Sequence, residues 1–171
     1  MNSLTKKIIL LLSATLIVTL LWFAGLQQVY ARVLTFSTNT VLTAAGRASN
    51  IQISKQDSTH VFHVNTFIDG NRAEYPLNYG TILLPTVMML AWIAFTPIFR
   101  KRKAALKSSI IVFFAFLFTQ VVFLLLLTAY YTSATAHFFY NVLQDGFYII
   151  ALGIIIIDNL VEPVFRKSGR T

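Results

Sequence analysis

Three charged residues near residue 160 have the types and the spacing to do chemistry in an apolar setting. Asp158, Glu162 and Arg166 are four residues apart, so on a helix they form one stripe on one face. Glu162 and Arg166 are expected to pair, whereas Asp158 lies about 12 Å further along the helix axis. An acid inside an apolar helix is energetically expensive and by default marks a functional site. Three roles for Asp158 stay open: pairing with the basic segment 100–107 or reaching toward water, coupling to protons or ions, or a salt bridge to a partner subunit.

Gln120 is a second polar candidate, because it lies at the middle of the long apolar run 110–130. Its amide must find a hydrogen-bond partner away from water. A hydrogen bond to a neighbouring helix, worth about 0.6 to 2 kcal/mol, is the expected role.

The histidines raise the question of a metal site. His60 and His63 are three residues apart in a β-branched segment, and on a strand that spacing places them on opposite faces. They cannot easily share one ion, and exposed or hydrogen-bonded histidines are the expected state. No metal and no cofactor are predicted.

Several classes of enzyme are excluded by residues that the sequence lacks. It has no cysteine, which rules out cysteine nucleophiles, disulfides and cysteine-ligated metals. Phosphate-binding glycine loops, nucleophile elbows and paired carboxylates outside the apolar runs are also absent. The sequence therefore predicts no catalytic residues and a protein that is not an enzyme.

The composition is that of an integral membrane protein, with 56% apolar and 12% charged residues. The net charge of +8 does not indicate nucleic-acid binding, because most basic residues fall into three clusters beside apolar runs: Lys6 and Lys7, the segment 100–107, and the segment 166–170. The lipid bilayer is the predicted surroundings, and integral membrane proteins are the predicted partners.

Four apolar runs are close to the roughly 20 residues that a helix needs to cross a bilayer. We predict an all-α membrane protein with four transmembrane helices and both termini in the cytoplasm, where the three basic clusters then lie. The first span has about 19 apolar residues, more than the roughly 7 to 15 of a signal peptide, so an uncleaved anchor is expected. The predicted segments are a tail with the first span (1–26), an outer loop (27–80), the second span (81–99), a basic cytoplasmic loop (100–109), the third span (110–130), a short outer loop (131–146), the fourth span (147–165) and a cytoplasmic tail (166–171).

The outer loop 27–80 is predicted to be a small α+β unit. Apolar residues at near-helical spacing from Leu26 to Leu42, with Gly46 as a stop, indicate an amphipathic extension of the first helix that lies on the membrane or against a partner. The alternating segments 50–54 and 59–68 predict a β-hairpin, and 69–71 a turn leading back to the bilayer. Because a lone hairpin is marginal in water, it should pack on that helix, on the second outer loop or on another chain. Its exposed edge is a candidate docking surface, the alternative being a self-contained cap.

One family resemblance rests on short motifs within 59–160. The segment 75–80 (YPLNYG) leads into a span with Leu84 and Pro85, Gln120 is followed by two valines, and Asn141 precedes the last helix. In these features the chain resembles the small four-helix membrane proteins associated with exosortases. The resemblance implies a place beside a protein-sorting transpeptidase of the bacterial inner membrane, and it implies no catalytic residue.

We therefore predict a non-enzymatic accessory or assembly subunit of a bacterial inner-membrane complex that docks a partner through its outer loop. The alternative is a protomer of a small oligomeric transporter or channel that uses Asp158 and Gln120. A third possibility, an enzyme acting on lipid, would need the histidines to converge with Asp57 or Asp145 at the outer interface.

Overall fold

The computed structural model describes residues 3–56, 59–68 and 70–165. Most of these residues are helical, and a small sheet follows the second helix. The elements in chain order are α1 (Ser3–Leu21), a π-helical turn (Trp22–Leu26), α2 (Gln27–Ala44), β1 (Asn50–Gln56), β2 (Thr59–Ile68), β3 (Asn71–Asn78), α3 (Tyr79–Phe95), a 3-10 turn (Thr96–Ile98), α4 (Arg102–Thr128) and α5 (Ala134–Val161).

Three helical segments are long and apolar enough to cross a membrane: Leu4–Ala44, Arg102–Thr128 and Ala134–Val161. The segment predicted as the second span is a shorter apolar helix, Ile82–Ile98. Large apolar side chains are exposed along α1, α4 and α5, which is the surface that lipid tails cover at no cost. The fold thus has the helices expected of a membrane protein.

The ends of the last two helices differ from the predicted boundaries. α5 begins at Ala134, where the side chain of Ser133 accepts a hydrogen bond from the Ala136 N–H, so most of the predicted outer loop 131–146 is helical. α4 begins at Arg102, inside the predicted basic loop 100–109. Both helices extend beyond their apolar runs into polar sequence. A helix satisfies its own backbone hydrogen bonds and can therefore continue outside the hydrocarbon core.

α5 also ends earlier than predicted, at Val161. Glu162 precedes Pro163, whose ring disfavours helical geometry in the residue before it, and Glu162 has extended dihedral angles of φ −130° and ψ 84°. The predicted helical stripe through Asp158, Glu162 and Arg166 is therefore wrong for Glu162. Arg166 lies outside the described residues.

A break at Gly25 separates α1 from α2. A straight helix from Leu4 to Ala44 would be about 60 Å long, twice the roughly 30 Å hydrocarbon core. Gly25 has φ 126°, a conformation that favours glycine, and it lies inside the π-helical turn. A helix follows residue 26 as predicted, namely α2, but it packs on α4 of the same chain rather than on a membrane surface or a partner: its buried side chains Tyr30, Leu34 and Thr38 lie on the side that faces α4.

The helices form a bundle with aromatic side chains at its centre. α1 packs against α3, α3 against α4 and α5, and α4 against α5. Phe123 of α4 stacks on Tyr140 with ring centroids 4.5 Å apart and meets Phe147 edge-on at 4.8 Å. These contacts tie α5 to α4 over the half of the bundle nearest the sheet.

The sheet has three antiparallel strands in the order β1-β2-β3, one more than the predicted hairpin. β1 pairs with β2 from Asn50 opposite Asn65, and β2 pairs with β3 through the turn at Gly70. The strand that the sequence analysis missed is β3. From Arg72 onward its residues alternate between exposed and half-buried, but Pro76 makes the sequence look unlike a strand. Proline is tolerated on an edge strand, and β3 is one.

Two side chains fasten the sheet to the end of α4. Thr66 Oγ1 donates to the Thr128 carbonyl at 2.8 Å, and the Tyr75 hydroxyl donates to the Leu127 carbonyl. Both carbonyls belong to the last turn of α4, where the regular hydrogen bonds of a helix run out; the Leu127 carbonyl also accepts from the Tyr130 N–H at 3.2 Å. The face with Thr66 therefore points to the bundle, and the opposite face points away from it.

Candidate functional site

Asp158 lies at the centre of a buried polar cluster at the end of the bundle opposite the sheet. Its Oδ2 accepts from Arg100 Nη1 at 2.8 Å and from Trp92 Nε1 at 2.7 Å, and its Oδ1 accepts from Ser108 Oγ at 2.5 Å. The side chains of Arg100 and Asp158 are 5% and 10% exposed. Asp158 thus takes the first of the three predicted roles, pairing with a base of the segment 100–107.

Arg100 follows the 3-10 turn at the end of α3 and reaches across to the end of α5. Its Nη2 donates to the carbonyls of Asp158 at 3.1 Å and Glu162 at 2.5 Å, and its guanidinium lies 5.9 Å from the centre of the Trp92 ring. Nε is buried and has no hydrogen-bond partner in the part of the chain that the structure describes, although the Glu162 carboxylate is 3.9 Å away. The predicted Glu162–Arg166 pair falls outside the described residues, and Glu162 instead lies beside Arg100.

This cluster compensates the charge of Asp158 inside one chain. A buried carboxylate is tolerated only when it is paired and hydrogen-bonded, and here one cation and two neutral donors surround it. The donors come from α3, the turn after it and α4, whereas the acceptor is on α5. The cluster therefore joins three helices.

An apolar groove of about 340 Å³ between α4 and α5 opens beside this cluster. Ile111 and Ile157 line its walls, and Ser108 and Asp158 lie at its polar end. The groove therefore places an apolar surface next to Asp158.

Gln120 is fully buried and also joins three helices. Its Oε1 accepts from the Tyr30 hydroxyl of α2 at 2.5 Å, and its Nε2 donates to the Ile82 carbonyl at 2.7 Å and to Thr86 Oγ1 at 3.1 Å, both on α3. These are the helix-to-helix hydrogen bonds expected of an amide in an apolar run. Gln120 and Asp158 lie at different levels of the bundle and share no hydrogen bond among the described residues.

The histidines lie in or near the sheet, and they do not converge. His63 Nδ1 is 2.7 Å from Glu74 Oε1 on β3, and His137 Nε2 is 2.9 Å from the Tyr130 hydroxyl. His60 lies opposite Lys55 in the register, on the other face of β2 from His63. The described residues hold no group of three or more side chains that could bind a metal ion.

The face of the sheet that points away from the bundle carries mostly polar side chains, although Val61 and Phe67 also lie on it. Three of its side-chain oxygens are buried and have no hydrogen-bond partner among the described residues: Asn50 Oδ1, Ser54 Oγ and Asn65 Oδ1. The apolar residues Phe62 and Val64 lie on the other face, fully buried against the bundle. One face of the sheet therefore packs on the bundle through apolar side chains, and the other carries polar atoms that can bind other groups.

The spacing in the sequence allows Asp158 to pair with the basic segment 100–107, but it does not single out Arg100 within that segment and does not point to Ser108 or Trp92. The one available signal for Trp92 is that a tryptophan nearer one end of a span carries an N–H that needs an acceptor. Arg100 was one of five bases in the segment 100–107. The packing of α3 and α4 on α5 determines that Arg100, rather than another of these bases, pairs with Asp158.

No protein-family model, no curated protein and no solved structure matches the chain. The resemblance of 59–160 to the exosortase-associated family therefore stays a prediction.

Proposed function

We propose that this chain is a non-enzymatic accessory or assembly subunit of a bacterial inner-membrane complex, and that it docks its partner through the outer sheet. The observation that carries the proposal is that the sheet is fixed on the bundle by Thr66 and Tyr75 while β3 remains an open edge. A rigid edge strand held near a membrane surface is suited to pairing with an extended segment of another protein.

The two edges of the sheet are unequal in this respect. On β1, the side chain of Asn39 pairs with both backbone groups of Ile51, donating to its carbonyl at 2.8 Å and accepting from its N–H at 2.9 Å. α2 thereby covers part of the β1 edge, as natural proteins do to prevent unwanted strand pairing. β3 has no such cover among the described residues. The partner's strand is therefore assigned to β3.

The partner in this proposal is an integral membrane protein, because the docking edge lies beside helices with lipid-type surfaces. The resemblance of 59–160 makes a protein-sorting complex of the exosortase type the first one to test. The polar side chains in the bundle support a structural role, since both Asp158 and Gln120 make their hydrogen bonds within the chain.

The topology that belongs to this proposal has four spans and both termini in the cytoplasm. α3 with its 3-10 turn is about 30 Å long, close to the hydrocarbon thickness. Lys7 Nζ donates to the Val164 carbonyl at 2.5 Å, so the beginning of α1 and the segment after α5 lie at the same end. An even number of crossings fits that arrangement, and the positive-inside rule assigns this basic end to the cytoplasm.

Site-specific photocrosslinking in native membranes tests the docking edge. A photoreactive residue at Pro76, on β3, should crosslink to one integral membrane protein, whereas the same residue at Lys103, at the basic end, should not. A Pro76 label that captures only lipid would favour a self-contained cap and contradict the docking role.

The second candidate, an oligomeric transporter or channel protomer, is favoured only by the groove beside Asp158. A carboxylate that couples ions must change its occupancy during transport, whereas Asp158 is fixed by three donors. Ion flux in vesicles reconstituted with the wild-type chain, abolished by Asp158→Asn without loss of assembly, would replace the accessory role by transport.

A further inference from the structure

A small pocket lies on the face of the sheet that points away from the bundle, at the end where β2 turns into β3. Its volume is about 270 Å³, below the range of drug-sized ligand sites. It is lined by Ala48, Asn50, Asn65, Thr66, Phe67 and Arg72. The pocket is far from the Asp158 cluster, which is at the other end of the bundle.

Two carboxamide oxygens of this pocket have no hydrogen-bond partner. Asn65 is only 5% exposed, and its Oδ1 accepts from no group among the described residues. The Oδ1 of Asn50 is buried and unpartnered in the same way, and the two residues are directly opposite in the register. Buried acceptors without donors are costly, so two side by side indicate a ligand that brings N–H groups.

Arg72 supplies the opposite chemistry at the same pocket. It pairs with Phe67 in the register, so it lies one diagonal step from Asn65 on the same face, a Cα separation of about 7 to 8 Å. Glu74 lies directly opposite Asn65 on that face, and its carboxylate, which contacts His63 Nδ1 at 2.7 Å, adds negative charge near the carboxamide oxygens. The pocket therefore has an acceptor side that suits a cation and a guanidinium that suits an anion.

We propose that this pocket binds a small zwitterion of the α-amino acid class. Its ammonium group donates to Asn50 Oδ1 and Asn65 Oδ1, and its carboxylate accepts from the Arg72 guanidinium. The short distance between the two charged groups of an α-amino acid fits a pocket whose donor and acceptors are diagonal neighbours. This proposal does not depend on the accessory role, because it concerns the chain without a partner.

The pocket should distinguish ligands by the cost of leaving its own polar groups unpaired. A simple amine satisfies the carboxamides and leaves Arg72 unused, and a simple carboxylate leaves both buried oxygens without donors. The intact zwitterion should therefore bind at least about tenfold more tightly than either half, which corresponds to about 1.4 kcal/mol.

The test uses the purified full chain in detergent, titrated calorimetrically with each natural α-amino acid in turn. The tightest of them is then compared with its amine and carboxylate halves. Arg72→Gln should weaken the amino acid to the level of the amine, and Asn65→Leu should abolish binding of both. Arg47→Gln, a matched loss of charge outside the pocket, should leave binding unchanged.

Asn50→Leu provides a second variant if Asn65→Leu fails to fold, with circular dichroism reporting on the sheet. Absence of binding by every amino acid to the folded wild-type chain would mean that the pocket holds water only, and would overturn the proposal. Equal binding of the amino acid and its amine half would overturn the assignment to a zwitterion.

Discussion

Arg100 and Asp158 show what an enclosed ion pair requires of its surroundings. Their attraction is offset by the cost of removing both charges from water, so the pair contributes little to the net stability. Its effect is on specificity, because either charge left alone would be costly. Trp92 on α3 and Ser108 on α4 donate to the carboxylate as well, so its hydrogen bonds depend on how both helices pack against α5.

Removing one charge of this pair should therefore lower the stability of the protein more than removing both. We expect Asp158→Asn to lower the free energy of unfolding by about 3 to 5 kcal/mol, since it leaves Arg100 buried and uncompensated. The double variant with Arg100→Gln should recover part of that loss. Denaturant unfolding in detergent micelles measures both. A double variant whose loss equals the sum of the losses of Asp158→Asn and Arg100→Gln would show that the two side chains act independently.

Gln120 should matter through its donors and acceptors rather than its size. Gln120→Leu keeps the volume but leaves the Tyr30 hydroxyl without its acceptor, and we expect a loss of about 1 to 2 kcal/mol. Combined with Tyr30→Phe, which removes that hydroxyl, the further loss should be small. A double-mutant cycle on the unfolding free energy gives the coupling, and strictly additive losses would contradict the hydrogen bond.

At the scale of elements, the break between α1 and α2 depends on Gly25. Gly25→Ala meets no atom within 4 Å, so its cost of about 1 to 2 kcal/mol comes from the φ of 126° alone. We expect the variant to be less stable and to shift the angle between α1 and α2, measured by the distance between spin labels on the two helices.

Gly153 on α5 is the matched control for that measurement. It also has open space around its Cα but has no positive φ. Gly153→Ala should therefore leave stability unchanged or raise it by about 0.5 to 1 kcal/mol, the usual gain in a helix. Equal losses of stability in Gly25→Ala and Gly153→Ala would mean that the positive φ of Gly25 is not the reason for the cost at that position.

The junction of sheet and α4 should weaken at alkaline pH through Tyr75. Burial, with smaller contributions from Tyr131 and Tyr140, raises the pKa of Tyr75 above its usual value. The stability it contributes is complete below about pH 10, the pKa of an unfolded tyrosine, and is lost as the pH rises toward the higher folded value. Tyr75→Phe should show a smaller fall in melting temperature between neutral and alkaline pH; a fall as large as in the wild type would contradict this role.

The sequence predicts a helix or strand well where a single physical requirement, such as the length of an apolar run, determines it. Apolar runs of about 20 residues indicate α4 and α5, but not their ends, because helices continue past the hydrocarbon until a signal such as Pro163 stops them. β3 was missed because Pro76 obscures a strand that lies at an edge. The partners of Asp158 depend on tertiary packing, which sequence spacing does not contain. The same holds for the pocket at Asn65, whose residues come from three strands and from the segment before β1.

At the scale of the whole molecule, the proposed topology makes a direct prediction. An alkaline phosphatase reporter placed at Ser54, on the sheet, should be active outside the cytoplasm, and one placed at Lys103 should be inactive. The reason is the charge difference between the two ends, with the basic segment 100–107 at one and the sheet at the other. Reporter activity at Lys103 would reverse the orientation, and activity at both sites would contradict the number of spans.

The fastening of the sheet to Leu127 and Thr128 sets an order of events while the chain is being made. β3 ends at Asn78, and α4 ends about 50 residues later, which the ribosome adds in about 3 to 10 seconds. During that interval the bundle-facing side of β2, with Phe62 and Val64, lacks its contacts with α4, although α2 already packs on β1. In the proposed topology, the strands therefore wait outside the cytoplasm, with part of an apolar face uncovered, for a helix that has not yet been synthesised. On that topology we expect a chaperone outside the cytoplasm to shield this surface in those seconds and to be released when α4 arrives.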